Sequence, residues 1–256
     1  MPTAKRVEAL MSELSLSSDV GNCLRQRSAV VCGNAVKRTK TGLAKAFHDN
    51  GLTIVLGVMF AGALIGMAGT GWHAFNDELI SHGRAPLSIL QYLTSGDFVS
   101  ALFENWESEF LQMATYVMLT AVLVQRGSAE SKDPDGDDAE VPLTAESPEA
   151  AKAGGWRRWL YGRSLGLTLA LLFVISIGLH WWGSLRAANA DAALHGQLPK
   201  APADYLLDAR FWFESFQNWR SEFLSTAVLI VLSIYLRQKG SPESKPVNAP
   251  HDQTGA

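Results

Sequence analysis

The sequence predicts an all-α integral membrane protein with four transmembrane helices, arranged as two tandem, parallel two-helix repeats. Three observations carry that expectation. Two stretches lack any formal charge, 21 residues from Leu52 to Trp72 and 22 from Ser164 to Leu185. A run of about 18 or more such residues reads as a membrane span rather than a buried core helix. Sliding the chain by 113 positions pairs residues 47–132 with 160–245 without a gap, and 27 of those 86 pairs are identical. An unbroken register of that length marks a duplication. Finally, all eight tryptophans fall at or near the ends of four apolar segments, where amphipathic rings settle at the headgroup level.

Residues 1–46 read as a polar N-terminal segment. The longest apolar run before Lys45, Ala29-Val30-Val31-Cys32, is too short for the core of a secretory signal, so the first span is expected to stay in the membrane. Cys23 and Cys32 fit neither paired zinc spacing nor a disulfide framework and read as reduced thiols. A net charge of −3, with no basic stripe interleaved with aromatics, excludes nucleic acid as a partner.

The first repeat covers 47–132, with spans at about 52–72 and 105–124. The second covers 160–245, with spans at about 164–184 and 217–236. The second span of each pair has a shorter apolar run, Phe110 to Val124 or Phe223 to Leu236. A crossing helix needs about 20 residues, so counting back places Asn105 and Gln217 at one membrane boundary. The helices are expected to start earlier, near Asp97 and Arg210, as interfacial turns. Trp72, Trp106, Trp159, Trp182 and Trp219 are the expected interface anchors.

Lysine and arginine set the orientation. Lys37, Arg38, Lys40 and Lys45 precede span one. Arg126, Lys132, Lys152, Arg157, Arg158 and Arg163 lie between spans two and three, and Arg237, Lys239 and Lys245 follow span four. The two remaining loops are poorer in these residues. Both termini and the central linker are therefore expected in the cytoplasm, and both repeats point the same way. Residues 133–159 read as a disordered acidic linker. Its Asp133-Pro134-Asp135-Gly136-Asp137-Asp138 run lacks the glycine position and distal glutamate of a calcium loop. Residues 246–256 read as a free C-terminal tail.

The duplicated Asn-Trp-x-Ser-Glu-Phe block holds the candidate polar intramembrane site. On a helix, Asn105, Ser108 and Glu109 form one polar stripe, and Asn218, Ser221 and Glu222 repeat it. Glu109 and Glu222 would lie some ~6 Å inside the boundary at the helical rise per residue. Two readings stay open. Either the glutamates face one another and bind a cation or exchange protons, or they snorkel or bond their neighbours and lock helix packing; the second is favoured at so shallow a depth. Glu104 and Glu107 read as solvated or at headgroup level, since Gln217 and Arg220 replace them in the second copy.

Four histidines, His73, His82, His180 and His195, map to one side, but His73 and His180 have no counterpart 113 residues away and no ligand spacing occurs. His82-Gly83 and His195-Gly196 read as helix-ending turns. Gly57-x3-Ala61, Gly62-x3-Gly66 and Gly66-x3-Thr70 on span one suit close helix packing or dimerisation. No catalytic residue, metal site or cofactor is expected, because no nucleophile, nucleotide-loop or zinc-protease motif occurs.

The Asn-Trp-Glu-Ser-Glu-Phe-Leu-Gln stretch at 105–112 and Arg-Gly-Ser-Ala-Glu-Ser-Lys at 126–132, with copies at 218–225 and 239–245, resemble an uncharacterised bacterial family of duplicated, four-span membrane proteins catalogued as a domain of unknown function. The resemblance covers about 47–246. It implies a protein of the bacterial inner membrane and supplies no substrate. The expected function is a non-enzymatic scaffold or accessory protein. The alternative is a small transporter or channel-like oligomer using the paired glutamates. Expected partners are the lipid bilayer and either a homo-oligomer or a membrane partner protein.

Overall fold

The computed structural model describes residues 42–136 and 141–255. The N-terminal segment with Cys23 and Cys32, and the acidic residues 137–140, lie outside the described residues. All regular structure among the described residues is α-helical. In chain order the helices are α1 (Leu43–Ser81), α2 (Ile89–Leu93), α3 (Gly96–Thr120), α4 (Glu149–Lys152), α5 (Gly155–Gly162), α6 (Ser164–Leu194), α7 (Pro202–Leu206) and α8 (Ala209–Tyr235). Two compact units divide at Leu64 and Ile65. The described part of the first is the start of α1, where Asn50 leaves helical geometry at φ −131° and breaks the helix with a kink.

Among the described residues, two helices are long and apolar enough to cross a membrane, Lys45–Ser81 and Ser164–Leu194. The most apolar window of the first buries none of its residues against protein. Helices α3 and α8 contain the other two expected spans. They begin at Gly96 and Ala209, one residue from the expected starts, each behind an N-cap whose side chain accepts a backbone N–H: Ser95 from Phe98 and Asp208 from Arg210. Helix α3 ends at Thr120, four residues short of the expected Val124. Its 25 residues still reach about 37 Å at the helical rise.

Local structure recurs at the 113-residue offset. Helices α1 and α6 end at Ser81 and Leu194, α2 and α7 cover Ile89–Leu93 and Pro202–Leu206, and α3 and α8 start at Gly96 and Ala209. The loops carry the same bonds. Asn76 accepts from the Leu87 N–H (2.7 Å) and donates to its carbonyl (3.0 Å), while Asn189 does the same with Lys200 (2.8 and 3.2 Å). Tyr92 and Tyr205, like Phe98 and Phe211, are buried. The Arg/Lys-Gly-Ser-x-Glu-Ser-Lys motif forms one turn twice: Ser131 accepts from the Gln125 N–H and Ser244 from the Gln238 N–H, both at 2.8 Å. Gly127 and Gly240 sit at φ +84° and +87°, where a Cβ would be strained, so glycine is the residue that closes this turn.

Antiparallel packing of α3 on α6 forms the centre of the second unit. Leu169, Ser176, His180 and Gly183 are buried along one stripe of α6 at spacings of seven, four and three, and Ser100, Glu107 and Ala114 repeat every seven on α3. These spacings keep one face of each helix toward its neighbour. The backbones touch near the N-terminal end of α3. A Cβ added at Gly183 would meet the Ser100 nitrogen at 2.6 Å, and one at Gly96 would meet the Ala187 nitrogen at 2.4 Å. The small residues expected to pack, on span one, are not those used here: a Cβ at Gly66 would meet open space.

Two further differences from the sequence reading have plain causes. Within the expected disordered linker, Glu149–Lys152 and Gly155–Gly162 are helical. Glu149-Ala-Ala-Lys152 is a run of strong helix formers closed by a 3.0 Å ion pair, and Trp156 and Trp159 lie under Arg157 and Arg163 in an interfacial pattern. The tail is not free. Lys245, 1% exposed, donates to the carbonyls of Pro250 (3.3 Å), His251 (2.9 Å) and Gln253 (3.0 Å). The Gly127 N–H then donates to Thr254 (2.9 Å) and the Gly255 N–H to the Ser128 carbonyl (3.0 Å). An ammonium has three protons to place, and the Pro246 and Pro250 loop supplies carbonyls for all of them.

Candidate functional site

The predicted stripes divide. Ser108 is buried and Asn218 half-buried, whereas Asn105, Glu109 and Ser221 face away from protein and Glu222 is half-buried. Asn105 donates back to the Ala101 carbonyl (2.9 Å) and Ser108 to the Asn105 carbonyl (2.8 Å), so both are spent within their own helix. Ser221 likewise turns to the Gln217 carbonyl (3.5 Å). Asn218 crosses to α3 and donates to Glu104 (2.6 Å). Glu109 lies within electrostatic reach of Glu222.

The ionisable centre of the bundle is elsewhere. Glu107 and His180 are both 0% exposed, and Nδ1 of His180 lies 3.0 Å from Oε2 of Glu107. Nε1–H of Trp219 donates to the other oxygen, Oε1, at 3.2 Å. A carboxylate only accepts, so the imidazole proton resides on Nδ1, and three helices meet at this one anion. The second ring nitrogen, Nε2, points at Oε2 of Glu214, 3.7 Å away. Glu214 in turn accepts from Ser184 (3.0 Å) and Arg210 Nε (3.1 Å), and Ser184 shares a 2.6 Å bond with the Tyr205 hydroxyl. Leu185, Tyr205 and Phe211 cover this network with an apolar core.

Glu107 is therefore not solvated, as its replacement by Arg220 in the second copy suggested. It occupies the face of α3 turned to α6, seven residues from both Ser100 and Ala114, where a charge persists only with partners. That face was the legible signal: the seven-residue repeat of small residues on α3 crosses Glu107, and the matching stripe on α6 crosses His180. Trp219, expected as an interface anchor, turns inward to the same carboxylate. Of the other anchors, Trp72 donates to the Leu87 carbonyl (2.7 Å), Trp106 is half-buried, and Trp159 and Trp182 stay exposed under Arg163 and Arg186. No cluster of three or more metal-ligating side chains occurs among the described residues.

Two pairs of residues 113 positions apart meet: the rings of His82 and His195 stand 5.9 Å apart, and the Glu130 carboxyl meets that of Glu243. Burial lifts the Glu130 carboxyl above its ordinary 4.5; a bond from the Tyr116 hydroxyl opposes the rise and the Glu243 carboxyl adds to it. The folded state thus holds this proton more tightly than the unfolded chain does. That stabilisation is complete below pH 4.5 and fades as pH climbs through the raised value. Glu130→Gln is expected to remove the fade, leaving a flatter plot of melting temperature against pH than wild type; an unchanged slope would assign the dependence to other groups.

No curated protein and no solved structure matches the chain. The family described as Domain of unknown function (DUF6766) matches residues 43–256, and the chain belongs to that family.

Proposed function

We propose that the chain is a non-enzymatic scaffold or accessory protein of the bacterial inner membrane. In this reading it crosses the bilayer four times as two tandem, parallel two-helix repeats, with both termini cytoplasmic. The observation that carries it is the Glu107–His180 contact, wholly enclosed and tied to Trp219. A polar group sealed in this way fixes which helices meet and in what register. The crossing number draws on the recurrence of bonds at the 113-residue offset, and the orientation on the lysine and arginine distribution. Exposed apolar side chains on α1, among them Leu52, Val58 and Ile65, suit contact with lipid, a second copy or a membrane partner protein.

Cysteine labelling tests the topology. In a chain without Cys23 and Cys32, a membrane-impermeant maleimide applied to intact cells is expected to modify cysteine at Leu90 and spare cysteine at Val141, both exposed positions. The opposite pattern removes the topology.

The electrostatic proximity of Glu109 and Glu222 favours a second reading, a cation or proton site in a small transporter or channel-like oligomer. Reconstituted vesicles separate the two. The scaffold reading expects no ion or proton flux from wild type; flux abolished by Glu109→Gln with Glu222→Gln would replace it with transport.

A further inference from the structure

Every residue of helix α5 (Gly155–Gly162) is exposed. At the helical turn per residue, Trp156, Trp159 and Leu160 share an apolar arc of about 100°, and Arg157 and Arg158 lie outside it. The chain then turns at Arg163, which leaves helical geometry at φ −119° and ψ 4°, and enters the apolar helix Ser164–Leu194. A short amphipathic helix at the foot of a span lies in the headgroup layer, aromatic side toward the acyl chains and basic side toward the phosphates.

The charge on this segment is of one sign. From Lys152 to Arg163 there are four basic residues and no acidic one, and no Asp or Glu follows until Asp191. Lys152 is answered by Glu149 at 3.0 Å. Arg157 and Arg163 lie instead over the rings of Trp156 (5.8 Å) and Trp159 (4.8 Å), and neither forms an ion pair with a described residue. Such a stack engages the flat face of a guanidinium and leaves its in-plane N–H donors for an anion. Arg163 also lines, with Ala121, Trp159 and Tyr161, a hollow of about 610 Å³ that has no carboxylate among its lining residues.

The first repeat has the same frame with other chemistry. Gly42 and Gly155 share a positive φ (+64° and +52°), and Asn50 breaks its helix at φ −131° and ψ 22°, 113 positions before Arg163. Residues 43–50 hold no tryptophan, and His48 meets Asp49 at 2.9 Å. The basic, aromatic version belongs to the second repeat alone.

We propose that α5 is a docking surface for anionic phospholipid, with headgroup phosphates against Arg157 and Arg163 and acyl chains along Trp156, Trp159 and Leu160. This rests on the reading that α6 crosses the bilayer.

The test titrates phosphatidylglycerol and phosphatidylcholine into the full chain in detergent micelles and counts bound lipids by native mass spectrometry. Phosphatidylglycerol is expected to bind at least about tenfold more tightly, the combined worth of two arginines at an anionic surface. Arg157→Gln with Arg163→Gln is expected to bring it down to the phosphatidylcholine level, and Lys45→Gln to change nothing. Equal affinity of the two lipids for wild type overturns the proposal, as does an equal loss in Lys45→Gln. An unchanged preference in the double variant overturns it too; should that variant fail to fold, an unchanged preference in both single variants does the same. Full displacement by an equal concentration of glycerol phosphate would assign the site to a free anion, and a dimer dissociated by the double substitution would assign it to a second copy; either overturns it. A chain soluble without detergent defeats the membrane reading, whereas a chain that needs detergent yet shows no lipid preference defeats the docking surface alone.

Discussion

Glu107→Ala is expected to destabilise the protein by about 3–5 kcal/mol, the range for removing one member of a buried charged pair. The loss has two sources. His180, 0% exposed, keeps a polar Nδ1–H with nothing to accept it once Glu107 Oε2 is gone from 3.0 Å, and the Trp219 N–H loses its acceptor as well. The removed side chain also leaves a void against α6. Thermal melting in detergent micelles reads the effect. A companion variant, Glu107→Leu with His180→Leu, removes both polar members and is expected to recover much of the loss, because paired apolar groups avoid the orphaned donor. If the double variant falls as far as the single one, the cluster matters for its shape rather than its polarity. If Glu107→Ala melts with wild type, the contact does not hold the helices together at all.

Gly183→Ala is the second large expected effect. A Cβ there would stand 2.6 Å from the Ser100 nitrogen and 3.0 Å from the Ser100 Cα and the Val99 carbonyl carbon. All three are backbone atoms of α3, so no rotamer change relieves the clash and the helices must separate. Overpacking costs about 1–3 kcal/mol even where side chains can yield; here the expected loss lies at the upper end or beyond it. Because His180 is three residues away on the same face, separation also stretches its bond to Glu107. The two losses are therefore expected to be less than additive in a Gly183→Ala, Glu107→Ala chain. Gly66→Ala, where a Cβ meets open space, supplies the contrast and is expected to leave melting unchanged or raise it slightly, since alanine is the better helix former. Equal effects at the two glycines would locate the close contact elsewhere.

Much of the helical frame was legible in the sequence, and for a simple reason. The 113-residue register ties together Asn76 and Asn189, which make the same loop bonds, Tyr92 and Tyr205, which are both buried, and Gly127 and Gly240, which share a positive φ. The turn at Gln125–Ser131 needs a glycine and two serines, and the chain places them twice. What the register hid was the asymmetric centre. Glu107 has Arg220 as its counterpart and His180 has Met67, so a reading that weighted residues by their repetition set both aside. Of the stripe it preferred, Ser108 is buried, but Asn105 and Glu109 each lie two positions from Glu107. At about 100° per residue, that is ~200° around the helix, enough to separate a carboxylate turned away from protein from one enclosed by three helices. The C-terminal tail was missed because composition alone does not reveal that a single lysine will gather Pro250, His251 and Gln253.

The unlike counterparts of Glu107 and His180 also bear on whether the two halves are interchangeable. A chain assembled from two copies of the second half would set Arg220 opposite His180, a guanidinium with no anion beside it in the middle of the bundle. One assembled from two copies of the first would pair Glu107 with Met67 and leave the anion stranded. Neither half can stand in for the other, because the enclosed pair takes one residue from each and neither residue recurs 113 positions away.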